Sequence, residues 1–104
     1  MNNIAVGIPW YRPEDFESLR RLFIDRDVLH DTYDEWLTSA RRIEKDLKDS
    51  GAFTVRAYID PRTFPAWCLA KGMLPDEKAR STFASEAAYQ AYSRSIDSAV
   101  ENLK

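Results

Sequence analysis

Phe53-Thr54-Val55-Arg56-Ala57-Tyr58-Ile59 alternates apolar and polar residues along its length. Phe53, Val55, Ala57 and Ile59 fall on one side of an extended chain, and Thr54, Arg56 and Tyr58 on the other. β-branched and aromatic residues dominate the run, so it predicts a strand with one buried and one wet face. Asp60-Pro61 stops it. Working outward, one other segment has the same period: Ile4, Val6 and Ile8 alternate with Ala5 and Gly7, and Pro9 is expected to end that strand.

Between these strands the pattern is helical. Pro13 suits a first helical turn, where its missing N–H leaves no bond unmade. Glu14, Asp15 and Glu17 follow at the positive helix end and Arg20 and Arg21 come later, as the macrodipole favours. Phe16, Leu19 and Phe23 share one face, giving a helix to about Ile24. Thr32-Tyr33-Asp34-Glu35 is a capping box, in which hydroxyl and carboxylate each satisfy an orphan backbone donor. Trp36, Ala40, Ile43 and Leu47 form the apolar stripe of the helix it opens, and Gly51 supplies a left-handed end. After the second strand, a short helix starting near Thr63 or Asp60 buries Phe64, Trp67 and Cys68 and ends at Gly72. Asp76 to Lys104 is alanine-rich and helical, with a break expected near Thr82–Ser85. Within it Tyr89, Tyr92, Ile96, Ala99 and Leu103 recur at 3-4 spacing, a core stripe before it is an oligomer seam. The order β-α-α-β-α-α predicts a predominantly helical α+β domain with a small two-stranded sheet, extended by dimerisation if strand edges pair.

Composition narrows the chemistry. The 104 residues make one domain, 1–104, with a globular balance of 44% hydrophobic and 31% charged residues. A formal charge of −2 gives no electrostatic pull toward nucleic acid or an anionic membrane. No stretch reaches the roughly 20 apolar residues of a membrane helix, and Ile4–Ile8 is too short for a signal sequence. With one unpaired cysteine, this predicts a cytosolic protein. One Cys and one His cannot close a structural zinc site, and three glycines, at 7, 51 and 72, build no phosphate cradle. A calcium loop starting at Asp25 fails at Leu29, His30 and Trp36. No cofactor, metal or catalytic constellation is therefore expected. His30, on a polar link, and Cys68, on a buried helix face, are the two residues on which an enzyme reading would rest.

Two groups of side chains suit an interaction surface. Trp10-Tyr11-Arg12, held between Pro9 and Pro13, has the aromatic–Arg composition of an interface hot spot. Thr54, Arg56 and Tyr58 form the polar side of the second strand.

The runs Pro9-Trp-Tyr-Arg-Pro-Glu-Asp-Phe16, Asp31-Thr-Tyr-Asp-Glu-Trp-Leu37 and Ile59-Asp-Pro-Arg-Thr-Phe-Pro-Ala-Trp-Cys68 resemble those of a family of small bacterial proteins. That resemblance implies a compact cytosolic domain and carries no activity with it. Thr54-Val-Arg-Ala-Tyr58 followed by a helix ending at Gly72 and a longer helix resembles ribbon–helix–helix DNA-binding proteins. It implies strands paired between subunits, with Thr54, Arg56 and Tyr58 reading bases. The residues themselves favour a non-catalytic domain that binds another protein, a second copy included, in an immunity, antitoxin-like or adaptor role. A two-stranded ribbon is marginal alone, and an open strand edge is a template for pairing.

Overall fold

The computed structural model describes the backbone of residues 5–102 and the side chains of residues 5–95. Strands β1 (Ala5–Trp10) and β2 (Phe53–Tyr58) form a two-stranded parallel sheet, with Gly7 opposite Val55 and Pro9 opposite Ala57. Parallel pairing needs a crossover, and helices α1 (Phe16–Leu22) and α2 (Tyr33–Asp49) supply it. Helices α3 (Phe64–Lys71) and α4 (Glu77–Asn102) follow. This is the expected α+β class, mostly helical.

The sheet is the middle of three layers. Trp10 meets Trp36 of α2 edge-on at 5.3 Å, and Arg56 binds Glu44 of the same helix. On the opposite face Gly7 touches the backbone of α4 at Ala84, and Phe53 meets Tyr92 at 6.0 Å. The Thr54–Arg56–Tyr58 side is partly covered by α2, with Arg56 and Tyr58 still exposed.

Local signals act largely as expected. Thr32 Oγ1 accepts the Glu35 N–H at 3.2 Å while Glu35 Oε1 accepts the Thr32 N–H at 3.3 Å, closing the capping box. α2 ends in a left-handed Gly51 and α3 in a left-handed Gly72 (φ 95° and 68°). In each case the next residue's N–H reaches back a full turn, Ala52 to Leu47 and Met73 to Cys68. Phe16, Leu19 and Phe23 are buried together.

Several expectations need correction. Pro9 does not end β1, which runs on to Trp10; a proline is tolerated where its nitrogen faces a sheet's outer edge. The first helix opens with a 3-10 turn at Pro13–Asp15 and closes at Leu22, short of Ile24. In α2 the buried positions are Trp36, Ala40 and Glu44, while Ile43 is half exposed, because Arg56 draws Glu44 inward. α4 is unbroken through Thr82–Ser85, where Phe83 and Ala84 are held by packing. Among the described residues its buried positions are Ala79, Arg80, Ala84 and Ala88, while of the tyrosine stripe Tyr89 is exposed and Tyr92 is half-buried against Phe53. Ile96 and Ala99, the next members of that stripe, have side chains outside the described residues, as do Ile4 and Leu103 entirely.

The core is aromatic. One cluster, Trp10, Tyr11, Phe16, Tyr33 and Trp36, fastens the end of β1 to α1 and α2. A second joins Phe64, stacked on Trp67 at 5.6 Å, to Phe83 of α4 and to Phe23. Each such ring hides roughly 150–250 Å², enough to hold a domain of this size without a disulfide.

Candidate interaction surface and polar sites

Of the six residues singled out in the sequence, Trp10, Tyr11, Arg12 and Tyr58 lie at one end of the sheet, Arg56 in the middle of β2 and Thr54 near its other end. Trp10 and Tyr11 are 2% and 3% exposed and belong to the core. Tyr11 also accepts a hydrogen bond on its carbonyl from the Tyr33 hydroxyl, at 3.3 Å. Burial pushes the Tyr11 phenol up to about 12. Arg12, by contrast, is exposed, and its guanidinium stacks 4.6 Å over the ring of Tyr58, which is 42% exposed. Arg12 and Tyr58 make a small surface patch joining the ends of the two strands.

Arg56 is committed within the chain. Its Nε donates to Glu44 Oε2 at 2.7 Å and its second guanidinium nitrogen to Oε1 at 2.9 Å, a two-pronged pair. The guanidinium also lies 4.1 Å from the centre of the Trp10 ring. Hydrogen bonding to Arg56 holds the Glu44 carboxyl below the usual carboxylate range. Glu44 follows Trp36 and Ala40 at four-residue spacing on the buried face of α2, where a carboxylate needs a cationic partner.

The backbone of the sheet edge is as informative as its side chains. The Ile59 N–H donates to the Trp10 carbonyl at 3.0 Å, so both residues direct their peptide groups into the ladder. Direction alternates along a strand. Phe53, Val55 and Ala57 therefore also point at β1, and Thr54, Arg56 and Tyr58 present their N–H and C=O groups to the outer edge of β2. Among the described residues, no backbone group outside the ladder hydrogen-bonds to those three. On β1 the same alternation turns Ala5, Gly7 and Pro9 outward, so that edge lacks an N–H near its C-terminal end, at Pro9.

The enzyme candidates separate. Cys68 is 1% exposed, and burial raises its thiol pKa, which keeps it protonated and inert. His30 is exposed, on the loop before α2, and its Nε2 lies 3.2 Å from Ser39 Oγ. The two line an open cleft of about 600 Å³ with Asp27, Asp31 and Glu35. Ser39 was not foreseen, because nine residues and a helix cap separate it from His30. Ser39 sits within α2, where its own N–H is spent on the helix and supplies no oxyanion donor. Among the described residues no cluster of His, Cys, Asp and Glu is arranged to hold a metal ion.

These features define a three-layer α/β/α domain whose small sheet, among the described residues, has no backbone partner on the outer edge of either strand, that of β1 lacking one N–H at Pro9. Comparison with protein-family models, with curated proteins and with solved structures finds no match to this chain. Among the described residues no helix is long and apolar enough to cross a membrane.

Proposed function

We propose that this chain is a non-catalytic, cytoplasmic protein-binding domain whose docking element is the outer edge of β2. The observation that carries the reading is the outward row of Thr54, Arg56 and Tyr58 peptide groups, beside a β1 edge blocked by Pro9. An extended segment that adds to a sheet edge gains main-chain hydrogen bonds for affinity and side-chain pockets for specificity. The Arg12–Tyr58 stack flanks that edge and supplies an aromatic and a cation at its end. Immunity, antitoxin-like and adaptor roles are all compatible with a small, mildly acidic binder of this kind.

Capture from native extract by the wild-type chain and by Thr54→Pro tests this. A proline at 54 removes one outward N–H and leaves the β1 ladder intact. The expected result is a species retained by the wild type and lost with the variant. Equal retention by both overturns the reading.

The ribbon–helix–helix resemblance gains no support from the geometry. Base reading requires Arg56 to leave Glu44 and α2 to leave the strand face. Gel retardation on genomic fragments at low salt distinguishes the two, since phosphate-driven binding is strongest there. The Ser39–His30 contact favours a second reading, a weak esterase. Saturable hydrolysis of an activated ester, lost in both Ser39→Ala and His30→Ala, is its expected signature.

A further inference from the structure

Resting on the edge-docking reading above, we infer that the occupant of the β2 edge is a second copy of this chain, paired antiparallel about a two-fold axis through Val55. Self-pairing is isologous, so each residue's partner is fixed by the centre of symmetry. Side chains must also match by face, because α2 covers one side of the sheet and α4 the other. That restricts the centre to a residue.

Centres at Val55, Arg56 and Ala57 are separated by the sequence, and a centre at Thr54 pairs only residues 53–55 within the strand. Centring on Arg56 sets two guanidinium groups directly opposite each other, a destabilising like-charge pair. Centring on Ala57 sets Phe53 opposite Pro61 of the other copy, beyond the strand, and leaves part of β2 without a strand partner. Centring on Val55 pairs Phe53–Ala57 of the two copies within their strands and leaves only Tyr58 beyond the partner strand, opposite Ala52. Thr54 and Arg56 of opposite copies then exchange their outward N–H and C=O groups, as that row requires. Val55 meets Val55 at a site without hydrogen bonds, where side chains approach most closely. Phe53, 40% exposed in the single chain, lies opposite the small Ala57. No like charges face each other. The product is a four-stranded sheet, β1-β2-β2-β1, with both outer edges carrying Pro9, which closes the assembly at two copies.

The register gives a sharp test. Across a non-hydrogen-bonded antiparallel pair the Cα atoms are about 4.5 Å apart, within the span of a disulfide. Val55→Cys is expected to form a covalent dimer under mild oxidation. The wild type, whose only cysteine is buried, is expected to remain uncrosslinked. Light scattering of the wild type at high micromolar concentration is expected to give twice the chain mass, and Thr54→Pro to give the single-chain mass with an unchanged circular dichroism spectrum. A wild type of single-chain mass overturns the self-pairing whether or not Val55→Cys folds. Amide exchange separates the two levels of the proposal. If that single chain exchanges rapidly at Thr54, Arg56 and Tyr58, the second copy falls and the open edge stands. If those amides are already protected in the single chain, both fall.

Discussion

The Ala84 carbonyl of α4 occupies the space where a side chain on Gly7 would begin. A β-carbon at residue 7 would lie 1.8 Å from the Ala84 oxygen and 2.4 Å from its carbonyl carbon. The α4 helix can lie this close because Ala79, Ala84 and Ala88 give its buried face no bulk. Gly7→Ala is therefore expected to destabilise the fold by about 3 kcal/mol or more, since the obstacle is backbone and cannot rotate away. Urea unfolding measures it. Ala84→Gly in the same chain is expected to bring no rescue, which distinguishes a backbone clash from a side-chain one.

That contact shows what the sequence carried and what it withheld. Alternation at 53–59, the Thr32–Glu35 box and the two helix-ending glycines are local devices, set by a residue and its near neighbours, and each is legible without the fold. Gly7 was legible only as a small residue in a strand, because its reason lies on a helix more than seventy residues away. Trp10 and Tyr11 illustrate the same limit. Their composition suits a hot spot or a core equally, and the position of Trp36 decides between them. The partner of Arg56 was not legible, because an arginine on a strand signals water and nothing local announces the buried carboxylate opposite it, Glu44.

Removing one member of that pair tests its coupling. Glu44 is nearly buried while the Arg56 side chain is 40% exposed, so solvent relieves part of the loss. Glu44→Ala is expected to destabilise the chain by about 1–2 kcal/mol. The double variant Glu44→Ala/Arg56→Ala should cost less than the two single changes together, and a cycle of urea midpoints reads the difference. Additive losses would show the pair to be uncoupled.

Acid sensitivity follows from two carboxylates. Arg56 holds Glu44, and Arg80 holds Asp25 through two bonds of 2.8 Å, each depressing the carboxyl below its ordinary value. The unfolded chain then takes up protons at a higher pH than the folded one, so stability falls with falling pH. It is expected to be fully present above the ordinary carboxylate range of about 4. It is then lost as pH drops through the depressed folded values. Asp25→Asn and Glu44→Gln should each flatten the acid limb of a stability–pH profile, and an unchanged limb in both would remove this account.

At the alkaline end the sign reverses. Tyr11 is held neutral by burial, with its pKa pushed up to about 12 from an ordinary 10. The folded chain keeps a proton that the unfolded chain gives up, so this contribution is complete below pH 10 and is lost as pH rises through 12. Titration followed at the tyrosinate absorbance should show one of the five tyrosines ionising late, together with unfolding. Tyr11→Phe should abolish that late phase.

Cys68 offers a direct view of core opening. Its side chain is 1% exposed, and it belongs to the same buried cluster as Phe64 and Phe23. Its thiol is raised by burial first and by nearby Asp76 second, so both access and thiolate are suppressed in the folded chain. An aromatic disulfide reagent should then react only through molecules that have opened. At saturating reagent the observed rate should equal the unfolding rate obtained from urea jumps, and it should rise in Gly7→Ala as that variant opens more often. Rapid labelling of the native protein, independent of urea and unaltered by Gly7→Ala, would mean that the thiol has its own route to solvent. In that event the α3 face against α1 and α4 would be a mobile cover, and the thiol would return as a candidate for chemistry.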